Sequence, residues 1–222
     1  MRILAALATA TAALTALITP AHADGPLGEA GGTLAMPLSE AVKVLPAAEE
    51  TREGYQRTSF RHWTDADRDG CSTRAEVLKA EAFIAPLQGA RCTLSDGEWF
   101  SPYDGVYVTS PSGLDIDHMV PLAEAWDSGA GQWSAKEREA YANDLGDERS
   151  LIAVTARSNR SKADQDPATW LPPHAAYRCQ YLADWVAVKM RWQLTVDDAE
   201  RQALTEGTQE CLNEPVKVTF AR

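Results

Sequence analysis

The chain predicts an α+β fold: a single, mostly helical domain around a small antiparallel sheet. Three stretches carry that reading. Leu114-Asp115-Ile116-Asp117-His118-Met119-Val120-Pro121 reads as a short strand that ends in an acid–histidine pair and is stopped by proline. Leu151-Ile152-Ala153-Val154 is an apolar run of strand length, and Arg157 to Asp164, about forty residues after the first strand, reads as a short helix. Tyr177, Tyr181, Trp185, Val188 and Trp192 recur at helical spacing and mark the apolar face of the longest helix, about His174 to Trp192.

The remaining elements follow in order. Residues 1–23 read as a secretory signal peptide: Arg2, an Ala/Thr/Leu-rich run to about Thr19, Pro20, then Ala21-His22-Ala23 as a small-x-small cleavage signal. The run is too short and alanine-rich for a retained membrane span. The mature chain is therefore expected to begin near Asp24, secreted, with no membrane partner. Residues 24–54 read as a Gly/Pro-rich disordered segment to about Thr33, then a helix from Leu38 to Arg52. Leu38, Val42 and Leu45 space that helix, Ser39 is its cap, and Pro46 kinks or divides it. Residues 55–212 form the main domain, and residues 213–222 a C-terminal tail.

Asp65-Ala66-Asp67-Arg68-Asp69-Gly70 leads into Glu76 with acids at loop positions 1, 3 and 5, glycine at 6 and glutamate at 12. That spacing makes Asp65, Asp67, Asp69 and Glu76 candidate ligands of a structural calcium. The plainer reading is a polar turn before a helix at Thr73 to Ala82, with Asp69 and Thr73 as turn and cap residues. Arg91 to Thr109 alternates in short pieces divided by Ser95-Asp96-Gly97 and Tyr103-Asp104-Gly105, an antiparallel meander. Leu122 to Ser128 is a short helix closed by Gly129. Ser134 to Tyr141 is another, with Ser134 and Glu137 completing a capping box. Thr195 to Leu212 is the final helix.

The four cysteines all lie in the mature part, and an even count in an exported chain favours disulfides. Sequence-local pairing gives Cys71–Cys92 and Cys179–Cys211, each contributing roughly 3 kcal/mol through the unfolded state. No two cysteines have the C-x-x-C spacing of a zinc site. The formal charge of −11 is a poor match to the basic footprint of a nucleic-acid binder. Arg149, Arg157, Arg160 and Lys162, however, form a stretch without a single acid. A basic island on an acidic body fits local, salt-sensitive phosphate binding that ignores base sequence.

The order strand, strand, helix, with Asp117-His118 on the first element and Asn159 on the last, resembles the HNH or His-Me finger nucleases, a ββα-metal motif here at about 113–164. Further motifs extend the likeness: Gly70-Cys71-x-Thr73-Arg74-x-Glu76-Val77-Leu78, Tyr103-x-Gly105, Ala125-Trp126-x-Ser128-Gly129-Ala130, Ala142-Asn143-Asp144, Asn159-x-x-Lys162-x-Asp164 and Trp170-Leu171-Pro172-Pro173. Together they resemble exported actinobacterial HNH proteins whose core is related to the nuclease domain of GmrSD-type restriction enzymes.

The resemblance implies a secreted endonuclease of low sequence specificity acting on DNA, with RNA also open, and working as a monomer. Asp117 and Asn159 would hold Mg2+ or another divalent cation, and His118 would be the general base. Lys162 would reach a phosphate, alongside Arg160, Arg157 and Arg149. Ser150 stands where the family commonly has asparagine before the second strand, which leaves the rigidity of that loop open. Arg74 fits either a phosphate contact or a salt bridge to the Asp65 loop. A calcium-stabilised extracellular binding module without catalysis, or a phosphoesterase for small substrates, fits many of the same residues.

Overall fold

The computed structural model describes residues 27–212 and 215–222, so the signal-peptide assignment lies outside the described residues. The fold is α+β. Seven α-helices surround four two-stranded antiparallel ribbons among the described residues.

Strand β1 (Thr33–Pro37) runs straight into helix α1 (Leu38–Val44). The predicted helix to Arg52 is thus cut short. Leu45 precedes Pro46 and takes an extended ψ of 130°, because the proline ring crowds the helical conformation of the residue before it. The helix starts at Leu38, so Ser39 sits inside its first turn rather than at the cap. Helix α2 (Thr73–Ala80) is capped by Ser72, which accepts from the Ala75 amide, and not by Thr73, while Asp69 is the turn residue, its Oδ1 accepting from Cys71 N (2.7 Å).

The meander resolves into β2 (Leu87–Gln88) paired with β3 (Leu94–Ser95), and β4 (Trp99–Ser101) paired with β5 (Val106–Val108). Gly97 and Gly105 occupy positive φ at the two predicted turns. Strand β6 (Leu114–His118) follows, then α3 (Leu122–Asp127) and α4 (Ala135–Ala142). The predicted capping box at Ser134 and Glu137 is present. Strand β7 (Leu151–Thr155) pairs with β6, with His118 opposite Leu151, and leads directly into α5 (Ala156–Lys162).

Helix α6 (Arg178–Trp192) is the centre of the main core. Tyr181, Trp185, Val188 and Trp192 are buried there, so the aromatic stripe is core, as its spacing predicts. Lys189 is buried among Glu124 Oε1 (2.7 Å), Glu200 Oε2 (2.9 Å) and Ser128 Oγ (2.7 Å), tying α6 to α3 and to α7 (Asp198–Thr208). The chain closes with β8 (Pro215–Thr219), which pairs along β1 from Thr33↔Thr219 to Pro37↔Pro215. Both chain ends differ from the sequence expectation. The segment before Leu38 is ordered from Leu27 on, with Gly31 N bonded to Phe220 O. The C-terminal tail is a strand whose Val216 and Val218 are buried. Both disulfides pair as expected, Cys71–Cys92 and Cys179–Cys211.

A smaller core of Val77, Leu78, Trp99, Leu114, Ile116, Leu151 and Ala153 lies under one face of the β6–β7 ribbon. Glu81 reaches this layer, where Oε2 accepts from the Ala153 amide (2.8 Å), and burial pushes its carboxyl up to about 7. A raised carboxyl binds its proton more tightly folded than unfolded. Stability from this group is therefore full below about pH 4.5 and lost as pH rises through about 7. Glu81→Gln should flatten that slope in urea midpoints measured across the window. An unchanged slope would assign it to another group.

Candidate active site

Strand alternation builds the site. Leu114 and Ile116 point into the smaller core, and His118 shares their parity. Asp115 and Asp117 point the other way, toward α5. One strand end thus carries an imidazole on one side and a carboxylate on the other.

The carboxylate is inside the protein. Asp117 Oδ2 accepts from Tyr103 Oη (2.7 Å) and from Lys162 Nζ. Lys162 has no exposed surface, and its Nζ also donates to His118 O (2.9 Å) and Met119 O (2.8 Å). Burial pushes Asp117 up and Lys162 down, toward neutrality. Three acceptors around one nitrogen oppose this, because only an ammonium offers three protons. Both bonds to Asp117 fall on Oδ2, which leaves Oδ1 for a ligand in the cavity that Asp117 lines.

His118 Nε2 lies 3.0 Å from Ala142 O. A carbonyl can only accept, so Nε2 carries the proton and Nδ1 keeps its lone pair. The imidazole stacks on Trp63 (5.5 Å between centroids) and on Tyr141 (6.3 Å), whose hydroxyl donates to Val120 O. Burial holds His118 down to about 3, so the ring is neutral across the physiological range.

Asn159 comes from the middle of α5. Thr155 caps this helix, accepting from Ser158 N, and Asp104 Oδ2 accepts from both Thr155 Oγ1 (2.5 Å) and Ser158 Oγ (2.8 Å). Asn159 Nδ2 donates to Asp115 Oδ2 (3.3 Å), which leaves its carbonyl oxygen unengaged by that bond. Asp117, His118 and Asn159 line one cavity of about 320 Å³, together with Arg57, Ile116, Pro121, Leu122, Arg160, Ala163 and Asp164.

The donor set suits a hard divalent cation. One carboxylate oxygen and one amide oxygen are oxygen ligands of the kind magnesium takes, and two protein ligands leave positions for phosphate and water.

Other predicted site residues fall elsewhere. Lys162 cannot meet a phosphate, because it is buried under Asp117; it holds the site rather than lining it. Arg149 is bound to Asp147 (2.6 and 2.8 Å) and to Lys217 O (2.8 Å), outside the cavity. Arg160 lines the cavity, and Arg157 lines a neighbouring groove. Arg74 donates to Pro111 O and Leu114 O, which is neither of the two expected roles. Asp65, Asp67 and Asp69 gather within 4.8 Å of one another, all exposed, while Glu76 is paired with Lys79 (3.1 Å). Three of the four predicted calcium ligands come together.

Ser150 compensates for the expected asparagine through a partner. Its Oγ donates to Asp144 Oδ2 (2.7 Å), its carbonyl accepts from Met119 N (3.0 Å), and Asp144 is clamped by Arg191 and Trp192. Sequence reasoning missed Arg57, which has no motif around it. It also missed the roles of Tyr103 and Trp63, although Tyr103-x-Gly105 is one of the motifs that carry the family likeness.

The chain belongs to the family described as GmrSD restriction endonucleases, C-terminal domain, whose model matches residues 76–206. A relative from Arthroderma benhamiae is 40% identical over 199 residues, covering 90% of this chain and 95% of its own. That relative is named an uncharacterized secreted protein, which agrees with the secreted localisation. No solved structure matches the chain. Among the described residues no helix is long and apolar enough to cross a membrane.

Proposed function

We propose that this secreted protein is an HNH-type endonuclease that hydrolyses phosphodiester bonds of DNA with a divalent cation and low sequence specificity. The observation that carries the reading is the convergence of Asp117, His118 and Asn159 on one cavity from elements remote in sequence. The order β6, β7, α5 supports a ββα-metal arrangement for them.

The geometry supports a role for each residue. Asp117 Oδ1 and the Asn159 amide oxygen would hold the cation, which when bound neutralises charge on the phosphate and the leaving oxygen. His118 Nδ1 takes a proton from the attacking water, and the bond from Nε2 to Ala142 O fixes the tautomer that makes this possible. Arg57 and Arg160 face the same cavity and bind the phosphate.

Plasmid nicking tests the reading. The wild-type protein should nick supercoiled DNA with magnesium and stop when EDTA removes it. Asn159→Ala should weaken cation binding, raising the magnesium concentration for half-maximal rate by about tenfold or more. Nicking that ignores both EDTA and Asn159→Ala would rule out this site.

A further inference from the structure

We propose that a single-stranded segment of nucleic acid leaves the cavity across α5, enters the adjoining groove, and stacks its bases on an exposed row of aromatic rings. The inference rests on the nuclease reading and names the form of substrate that its surface fits.

Helix α5 is the wall between two depressions. Asn159, Arg160 and Ala163 line the cavity, while Arg157, Ser158 and Ser161 line a groove of about 430 Å³ on the neighbouring face. Val106, Trp170, Pro173 and Asp104 complete that groove. Its acid is engaged or covered: Asp104 Oδ2 accepts from Thr155 and Ser158, and Oδ1 is buried without a hydrogen-bond partner. Its arginine is not: among the described residues Arg157 is exposed and has no acidic partner. The indole of Trp170 is half-buried, and its Nε1 donates to Ser161 Oγ (3.3 Å). The groove therefore offers a cation and an aromatic surface directly beside the candidate cutting site.

The aromatic surface continues beyond the groove. Pro173 leads to His174, whose ring lies 6.1 Å from Phe100. Phe100 lies 5.0 Å from Tyr107, and Tyr107 lies 6.1 Å from Phe83. These three outer rings are 39%, 57% and 72% exposed. Ile84 and Leu87 beside Phe83 are exposed as well. An apolar patch of this extent marks an interaction surface. Two facts choose its occupant: the row starts at Pro173 on the groove that adjoins the candidate active site, and the exposed Arg157, with no acidic partner among the described residues, lines that groove on an otherwise acidic body. Both fit a polyanion that carries flat apolar faces. A duplex hides its base faces in the stack, so only unpaired bases can use the row.

The test is fluorescence anisotropy with labelled oligodeoxythymidine and a labelled duplex of equal length, using the mature protein in EDTA so that binding is read without cleavage. Tyr107→Ala and Phe100→Ala should each weaken single-strand binding by about five- to fifty-fold and leave duplex binding unchanged. Arg157→Gln should weaken both and lower the salt slope by about 0.7 for the single strand. Phe83→Ala, at the exposed end of the row, guards against misfolding, and it should show the same selective loss. Single-strand binding unchanged in all three aromatic variants would overturn the inference. So would a wild-type dimer, seen by sedimentation, that Tyr107→Ala or Phe83→Ala dissociates, because the row would then be covered by a second copy. Magnesium-dependent plasmid nicking that persists in either case leaves the proposed function standing, whereas absence of all nicking removes that reading itself.

Discussion

Replacing His118 by alanine is expected to lower magnesium-dependent nicking by about 10²- to 10⁴-fold while the protein stays folded. The rate loss follows from removing the one imidazole that lines the cavity among the described residues. Its Nε2 proton is committed to Ala142 O, and its ring is held by stacking on Trp63 and Tyr141. The structural cost is smaller. Ala142 O loses its donor, which costs about 1–3 kcal/mol when the acceptor stays dry. Thermal melts and nicking rates measured on the same preparation separate the two effects. Added imidazole should restore part of the rate, since the vacated site has the shape of the lost ring. A variant that nicks at the wild-type rate would remove His118 from the chemistry.

Lys162→Met is expected to cost about 3–5 kcal/mol of stability and to take nicking with it. The side chain is fully buried, and methionine nearly matches its volume, so packing changes little. What is lost is charge. Asp117 would remain inside the protein with Tyr103 as its remaining donor at Oδ2, and the carbonyls of His118 and Met119 would lose theirs. Burial already pushes the Asp117 carboxyl up, and without Lys162 nothing opposes that rise but the tyrosine hydroxyl. A protonated Asp117 is a poor cation ligand, so the magnesium requirement should rise together with the loss of stability. A lysine that merely touched phosphate would behave oppositely, with an unchanged melting temperature and a shallower salt dependence. That outcome would return Lys162 to the substrate-binding role suggested by its motif.

The contrast shows what can be read from a sequence of this kind. Local patterns translate well. The capping box at Ser134, the individual strands β6 and β7 and the aromatic face of α6 each depend on residues a few positions apart, and the structure has them all. The β1–β8 ribbon depends on partners 186 residues apart, Thr33 and Thr219, and no local pattern announces such a pairing. The site divides in the same way. Asp117, His118 and Asn159 are legible because a motif spaces them. Arg57 reaches the cavity from a 3-10 turn with no distinguishing neighbours. Lys162 is misread because its residue type argues for the surface, and only the fold shows that Asp117 draws it inward.

The clamp on Asp144 has a consequence for the order in which the molecule comes into being. Met119 is held by Ser150, Ser150 by Asp144, and Asp144 by Arg191 and Trp192 at the far end of α6. A growing polypeptide has Asp117, His118 and Asn159 outside the ribosome well before those last two side chains emerge. The brace behind His118 is therefore missing from every shorter nascent form. The candidate site should therefore set late and all at once, when the C-terminal part of the chain folds against it, rather than build up gradually as the chain lengthens.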